Sequence, residues 1–283
     1  MAAKLQAVTL AKPGARMQIP GYFINLDSAT ARRAYMEAEI ARLGLPITRL
    51  AAVKSTALSD ADFARLHPDG SRFQMVKAEV ACSLSHRACW KLIAEGTARF
   101  GAVFEDDIAF ADDTAHFLGQ DRWLPPGIEL VKLETFLSGV MLTRQTITAQ
   151  NRALVQLCSC HLGAAGYIVS RALAQRLFDA SQTITLPIDL ALFDPESRLL
   201  PEVPAWQLTP AICIQQFRSK EVFLPDGAEW SGVDAHRVVR KRHGLAKLRR
   251  ESARPFLQLY EALRTALRVA RTGQRRTIVR FRK

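Results

Sequence analysis

The chain has 283 residues, of which 48% are hydrophobic and 23% charged, a composition that excludes a wholly disordered polypeptide and allows one large core. Its formal net charge is +12, but residues 237–283 hold 16 of the 39 Lys and Arg residues and only two acids, so the rest of the chain is close to neutral. Five cysteines, an odd set without CxxC spacing, argue against a disulfide framework and a zinc ribbon.

The N-terminal stretch MAAKLQAVTLAKPGAR lacks the continuous apolar segment of a secretory signal peptide. No run of the sequence approaches the roughly 18 apolar residues that a membrane-spanning helix needs. We therefore expect an N-terminal extension over 1–19, reduced thiols, and a cytoplasmic protein that does not cross a bilayer.

The first regular elements form a strand-helix-strand unit. The apolar run GYFINLD predicts a buried strand over 21–27, the following periodic segment predicts a helix over 29–43 that stops near Gly44, and ITRLAAV predicts a second strand over 47–53. This order is the usual opening of an α/β sheet.

A long helix follows over 78–96. Glu79, Cys82, His86 and Trp90 recur at spacings of three and four, which places them along one face of that helix. Beyond it, the patterns predict strands over 101–107, 128–134, 139–143, 153–159 and 166–170, and a helix over 171–180.

The strand over 101–107 runs directly into three acids, Glu105, Asp106 and Asp107. They could simply be solvated at a strand end, yet open α/β sheets bind ligands at the carboxyl ends of their strands. Mg²⁺ or Mn²⁺, bound by carboxylates and phosphate oxygens, would compensate the charge. Without a metal, we expect at least one of these carboxylates to face solvent or to have a raised pKa.

Two histidines have structural alternatives. His86 could be a packed helix residue, and no G-x-S-x-G motif around Ser83 and Ser85 supports a hydrolase triad. His161 lies beside Cys158 and Cys160, but ordinary packing is a better interpretation than a metal site.

The basic segment over 236–283 has three interpretations. Dense arginine is typical of nucleic-acid binding, whereas ARPFLQLYEALRTALRVA interleaves apolar and basic residues at helical spacing and suits an anionic membrane surface. We favour the membrane-bound amphipathic helix over nucleic acid, and rank a merely solvated end third.

Four ordered segments between about residues 20 and 220 resemble glycosyltransferase family 25, which includes lipopolysaccharide glycosyltransferases. They are GYFINLDSATARR, AEVACSLSHRACWKLI, GAVFEDDIAF, and GAAGYIVSRALAQRL followed by LPIDLAL. The resemblance implies a GT-A-like, nucleotide-sugar-binding mixed sheet flanked by helices, with a catalytic domain over 20–235 and a basic helical C-terminal tail over 236–283.

The resemblance also implies roles for individual residues. The acidic triplet looks like a variant of the DXD signature, with Asp107 as first metal ligand and Glu105 or Asp106 assisting or contacting ribose. Asp189, in a Pro-x-Asp element, is implied as the catalytic base, although it could instead cap the following helix. The other implied donor-binding residues are Asn25, Asp27, Arg33, Glu79 and His86.

The activity that this resemblance implies is inverting, metal-dependent transfer of a hexose, and the expected donor is UDP-galactose. The acceptor would be a lipid-linked lipopolysaccharide or related cell-envelope saccharide at the inner face of the inner membrane. The alternative is a basic nucleic-acid-binding protein or metal-dependent nuclease, which the near-neutral charge of residues 1–236 disfavours.

Overall fold

The computed structural model describes residues 18–71, 73–218 and 273–283. These residues form a mixed α/β fold, in which a nine-stranded sheet is flanked by helices and accompanied by a second sheet of three strands. The predicted α/β class with a mixed sheet is confirmed.

The elements are the following, in chain order. The strands are β1 (Gly21–Asn25), β2 (Ile47–Ala51), β3 (Phe100–Glu105), β4 (Ile108–Phe110), β5 (Leu130–Lys132), β6 (Glu134–Thr135), β7 (Gly139–Ala149), β8 (Arg152–Leu157), β9 (Gly166–Ser170), β10 (Ala205–Thr209), β11 (Cys213–Gln215) and β12 (Arg275–Ile278). The helices are α1 (Thr30–Leu43), α2 (Asp60–Leu66), α3 (Lys77–Glu95), α4 (Thr114–Leu118), α5 (Arg171–Ala180) and α6 (Ile188–Phe193). Every strand and helix predicted between residues 21 and 180 is present, and the predicted strand over 128–134 is divided into β5 and β6.

The β1-α1-β2 unit follows from local sequence signals. Met36 faces the core from α1, and the helix ends where Gly44 adopts a left-handed conformation with φ 62°. There the Gly44 N–H bonds back to the last turn, an ending that glycine accommodates without strain. The chain then enters β2, which pairs in parallel with β1.

The order of strands in the large sheet is β12-β7-β8-β10-β5-β9-β3-β1-β2. Strand β1 is parallel to both β2 and β3, with Ile24 opposite Glu105. The carboxyl ends of β1 and β3 therefore meet at one edge of the sheet, which is where such sheets carry their ligand sites.

The second sheet closes over that edge. Strand β11 is antiparallel to β4 and parallel to β6, and its register sets Gln215 opposite Ile108. The short return from β3 to β4 thus brings Gln215 next to the acidic triplet.

The core has an apolar layer on each face of the large sheet. In β3, Phe104 packs into the layer that contains Phe23, whereas its neighbour Val103 packs into the layer that contains Trp90 and Tyr167. Burying each such side chain stabilises the fold by roughly 1.5–3 kcal/mol. Burial on both faces explains why β3 is a continuous apolar run rather than an alternating one.

The end of the chain differs from its prediction. Residues 275–278 form β12, which pairs antiparallel with β7 at the edge of the large sheet. The prediction of a helical tail is therefore wrong for these residues, while 236–272 and most of the predicted extension over 1–19 lie outside the described residues. None of the helices in the described part of the chain is long and apolar enough to cross a membrane.

Candidate active site

A cleft opens at the carboxyl ends of β1 and β3, beside α3. Its cavity has a volume of about 210 Å³. Glu105, Asp106 and Asp107 line it together with Arg32 from α1 and Cys82 from α3. The three acids that the sequence singles out therefore face one cavity.

The acidic triplet is largely withdrawn from solvent. Asp106 and Asp107 are each 6% exposed, and the side chain of Glu105 is 24% exposed. Buried carboxylates are costly unless cations or hydrogen-bond donors compensate them, so the partners of each one decide what the site can bind.

Asp106 has the most complete set of partners. The Arg32 Nη1 atom lies 3.1 Å from its Oδ1, and Asn25 Nδ2 donates to its Oδ2 at 2.6 Å. Burial raises the pKa of Asp106, although the charge of Arg32 and the bond from Asn25 act in the opposite direction. Asp106 is thus compensated by the protein itself.

Asn25 is held in place by Arg49. The Asn25 side chain accepts from Arg49 Nε at 2.9 Å, and Arg49 Nη2 donates to Asp27 Oδ1 at 2.6 Å. That bond lowers the pKa of Asp27, whose side chain is 60% exposed at the rim of the site. Two of the predicted donor-binding residues, Asn25 and Asp27, are thereby linked through one arginine.

Glu105 and Asp107 are less well compensated. They share one donor, Gln215 Nε2, which lies 3.3 Å from Glu105 Oε2 and 3.4 Å from Asp107 Oδ2. The other oxygen of Asp107, Oδ1, is buried and has no hydrogen-bond partner among the described residues.

The pKa values of these two acids follow from that deficit. Burial, with the charges of Glu134, Asp106 and Asp189, raises the pKa of Glu105 to about 8. Burial and the charges of Glu105 and Asp106 raise the pKa of Asp107 well above its usual range. The expectation of a raised pKa in the acidic triplet is confirmed. A buried, unpartnered carboxylate oxygen beside a second carboxylate fits the ligand preference of a hard divalent cation.

The face of α3 that carries Glu79, Cys82 and His86 is divided between capping of the helix and the cleft. Glu79 accepts from the backbone N–H of Val76 at 2.9 Å and so caps the start of α3. His86 is fully buried, and its Nδ1 lies 3.0 Å from the hydroxyl of Tyr167 while its Nε2 lies 3.5 Å from Glu105 Oε1. Burial lowers the pKa of His86 to about 3, so this imidazole is neutral at pH 7.

Asp189 lies in the first turn of α6. Its Oδ2 accepts from the N–H of Gly163 at 3.2 Å, and its Oδ1 accepts from the N–H of Leu190 at 2.9 Å. Pro187, not Asp189, occupies the N-cap position of α6. The carboxylate is therefore oriented by two backbone donors from different segments.

A buried ion pair supports the loop that contacts Asp189. Lys132 Nζ donates to Glu134 Oε2 at 2.9 Å and to the carbonyl oxygen of Gly163, and the side chains of Lys132 and Glu134 are both fully buried. Gly163 has φ 83°, and a Cβ there would lie 2.5 Å from Glu134 Oε1. Only glycine fits this position. The ion pair and Gly163 together therefore fix the position of the loop beside Asp189.

His161 uses both ring nitrogens within the protein. Its Nε2 accepts from the N–H of Phe136 at 3.2 Å, so Nδ1 carries the proton and donates to Gln207 Oε1 at 2.8 Å. The packing interpretation of His161 is confirmed.

Sequence reasoning missed two residues of the cleft. Arg32 contacts Asp106, whereas its predicted neighbour Arg33 is exposed and pairs with Glu37 at 2.8 Å. Helical periodicity could have distinguished them, because Arg32 is four residues before the buried Met36. Gln215 had no such signal, since it reaches the acidic triplet only through the pairing of β11 with β4.

Comparison with known proteins identifies relatives over the same region. The family model described as glycosyltransferase family 25 (LPS biosynthesis protein) matches residues 18–192. The chain is 28% identical over 239 residues to the lacto-N-neotetraose biosynthesis glycosyltransferase LgtE of Neisseria meningitidis, covering 78% of this chain and 83% of that protein. It is 29% identical over 233 residues to LgtB of Neisseria gonorrhoeae, with 78% and 83% covered, and 26% identical over 233 residues to the lipooligosaccharide biosynthesis protein lic2B of Haemophilus influenzae, with 78% and 86% covered.

Proposed function

The chain belongs to glycosyltransferase family 25, and on that premise we propose that it transfers galactose from UDP-galactose to a lipopolysaccharide or related cell-envelope saccharide, with inversion at the anomeric carbon. The observation that carries this proposal is the acidic wall of the cleft, where Asp107 Oδ1 is buried beside Glu105 and has no hydrogen-bond partner in the part of the chain that the structure describes. The names of the relatives, which refer to lacto-N-neotetraose and lipooligosaccharide biosynthesis, support a saccharide acceptor.

Asp107 and Glu105 are the residues that would hold a divalent cation. Mn²⁺ or Mg²⁺ bound there would neutralise the negative charge that develops on the diphosphate leaving group. This assignment leaves Asp106, already compensated by Arg32 and Asn25, to accept hydrogen bonds from the ribose of the donor.

Other residues line or support the donor pocket. Arg32 offers the cationic group nearest to the acids, and Asp27 stands at the exposed rim. Glu79 and His86 act by fixing α3 against the cleft. Arg33 remains a proposed donor contact, although its side chain pairs with Glu37 on the outer face of α1.

Asp189 is the proposed catalytic base. In the reaction, the acceptor oxygen forms a bond to the anomeric carbon while the bond from that carbon to the diphosphate breaks, and UDP leaves. The hydroxyl proton passes to Asp189, whose carboxylate is oriented by the N–H groups of Gly163 and Leu190 and retains free lone pairs.

The basic segment over 236–283 is proposed to bind the anionic inner face of the inner membrane, where a lipid-linked acceptor would be anchored. Each basic residue near such a surface contributes roughly 1 kcal/mol. Removing 237–283 would also delete β12, so the cleaner test replaces the Arg and Lys residues of 237–272 with Gln, with an Arg-to-Lys variant as the control. Unchanged membrane partitioning of the Gln variant at fixed salt would contradict this part of the proposal.

The activity itself is tested by a screen of UDP-sugars that follows UDP release with extracted lipopolysaccharide as acceptor. We expect release to require a divalent cation, to be fastest with UDP-galactose, and to be lost in Asp107→Asn. Turnover with another UDP-hexose would correct the donor, and turnover that is independent of both acceptor and Asp107 would refute the proposal.

A nuclease or nucleic-acid-binding protein is the competing function. The acidic lining of the cleft opposes it, since a phosphate backbone is bound by cationic grooves. UDP with Mn²⁺ should raise the melting temperature of the protein, whereas duplex DNA with Mn²⁺ should not.

A further inference from the structure

Three side chains of different chemistry meet at the floor of the cleft. Cys82 and His86 are one turn apart on α3, and Glu105 reaches them from the end of β3. One ligand atom from each, a thiol sulfur, an imidazole nitrogen and a carboxylate oxygen, lie within 4.8 Å of one another. Cys82 and Glu105 also line the cavity, so a small ion can reach the group.

The orientation of His86 is that of a metal-binding imidazole. Its Nδ1 lies 3.0 Å from the hydroxyl oxygen of Tyr167, which can accept a hydrogen bond from the N–H of that nitrogen. Its Nε2 is buried, forms no hydrogen bond with any described residue, and lies 3.5 Å from Glu105 Oε1. Histidines that ligate metals use one ring nitrogen for the ion and donate the other N–H to an oxygen, whereas an unpartnered buried nitrogen is costly in any other role.

We propose that Cys82, His86 and Glu105 form a binding site for Zn²⁺. A thiolate, an imidazole and a carboxylate are the ligands that zinc takes in proteins, and three of them leave a fourth position open toward the cavity. The all-oxygen set of Asp107 and Glu105 suits Mn²⁺ or Mg²⁺ instead. On binding, a zinc–sulfur bond replaces the sulfur–hydrogen bond of Cys82, and the thiol proton passes to solvent without any change of oxidation state.

Glu105 belongs to both sets of ligands, which gives zinc a consequence for activity. This step rests on the proposed function: a Glu105 carboxylate engaged with Zn²⁺ is withdrawn from the hard cation, so Zn²⁺ should inhibit sugar transfer when Mn²⁺ is not saturating. Zinc binding itself does not depend on the proposed function.

Cobalt provides a direct probe of the thiolate ligand. The full chain is stripped with EDTA, dialysed and titrated with Co²⁺ in three forms: wild type, Cys82→Ser, and Cys158→Ser as the matched control, because Cys158 is another partly exposed cysteine outside the group. Wild type and Cys158→Ser should develop a sulfur-to-cobalt charge-transfer band that Zn²⁺ abolishes, and Cys82→Ser should lack it. A band that survives in Cys82→Ser, or is absent from the wild type, would overturn the proposal.

A second measurement needs no variant. Zn²⁺ should protect Cys82 of the wild-type protein from alkylation by iodoacetamide, as measured by peptide mass spectrometry, and should leave Cys158 unprotected. Equal alkylation of Cys82 with and without Zn²⁺ would also overturn the proposal.

Activity separates the two hypotheses. The ratio of transfer rates with and without Zn²⁺ should be well below one in the wild type and close to one in Cys82→Ser. Zinc that binds through Cys82 without inhibiting would refute only the sharing of Glu105. If no UDP-sugar supports turnover, the proposed function fails while the cobalt band still decides the zinc site.

Discussion

Two buried clusters of charge in this molecule are balanced in opposite ways. At the start of β8, Arg152 has a side-chain exposure of 1%, pairs with Asp113, and donates to three backbone carbonyl oxygens. In the cleft, Glu105 and Asp107 share a single amide donor, and one Asp107 oxygen has no partner among the described residues.

The difference appears in the pKa values. Burial acts to raise the pKa of Asp113, but the bonds from Arg152 and Asn151 outweigh it and the pKa is lowered. In the cleft, none of the described residues supplies comparable donors to offset burial, and the pKa values of Glu105 and Asp107 are raised. A charge buried for the fold carries its partners within the chain, whereas a charge buried for a ligand is left for the ligand to complete.

The largest effect should come from removing the carboxylate of Asp107, which the described part of the protein leaves uncompensated. Asp107→Asn should lower kcat/KM by about 10²- to 10³-fold, the usual cost of losing one electrostatic contact to a developing charge. The melting temperature without metal should not fall, because the change deletes an uncompensated buried carboxylate. Asp112→Asn, at a neighbouring acid that is 60% exposed, is the control for both measurements. Equal activity of the two variants would show that Asp107 does not contribute to the active site.

Removing Arg152, which compensates Asp113 within the protein, should have the reverse effect and lower stability rather than activity. Arg152→Ala leaves Asp113 without its main partner, and we expect a loss of about 3 kcal/mol in the free energy of unfolding, measured with urea. The remaining folded protein should keep its activity. A double variant, Arg152→Met with Asp113→Leu, should be more stable than Arg152→Ala; a less stable double variant would show that the pair does not act as a unit.

The two adjacent arginines of α1 should differ by a smaller factor. Arg32→Ala removes the charge that faces Asp106 and should raise the KM for the donor by about 10-fold, as expected for a lost hydrogen bond to a charged group. Arg33→Ala removes an exposed ion pair with Glu37 and should change stability by less than about 0.5 kcal/mol. A larger KM effect for Arg33 than for Arg32 would reverse these assignments.

A further effect concerns the pH dependence of stability. The pKa of Glu105 is raised from 4.5 to about 8, so the folded protein binds more protons than the unfolded chain between these values. The stability from this group is therefore full below pH 4.5 and is lost as the pH rises through about 8. The melting temperature of the metal-free protein should fall over this window, and less so in Glu105→Gln. If the melting temperature of the wild type rose relative to that of Glu105→Gln as the pH increased over this window, the raised pKa would be contradicted.

The lowered pKa of Asp113 gives the opposite dependence. Its contribution to stability is present above the usual pKa of 3.8 and is lost as the pH falls below that value. The wild-type protein should therefore lose stability as the pH falls below 3.8, which Glu105 alone would not cause. Asp113→Asn should lack this loss of stability in acid.

Much of the fold could be predicted from the sequence because its signals are local. The apolar run of β3, the stop of α1 at Gly44, and the face of α3 that carries Cys82 and His86 are each specified within a few residues. The acids at the end of β3 were likewise identified from the strand that precedes them.

The remaining features depend on pairings between distant segments. Gln215 lies 110 residues after Glu105 in the sequence, and Lys132 donates a hydrogen bond to the distant carbonyl oxygen of Gly163. The residues adjacent to Gln215 and Lys132 in the sequence do not specify these contacts. Strand β12 was mistaken for helix because the spacing of its arginines says nothing about the edge of β7 that it covers. Burial of Lys132 with Glu134 is equally invisible locally, since lysine is almost never fully buried without a partner.

The position of β12 has a consequence for how the molecule is made. It pairs Arg275 with Leu142, so this edge of the sheet cannot close until residue 278 has been synthesised. Until then, the stretch of β7 from Gly139 to Leu142 presents an open edge whose N–H and C=O groups can pair with other chains. Late closure exposes the nascent protein to aggregation, so a truncation before residue 275 should reduce soluble yield before it alters the chemistry of the cleft.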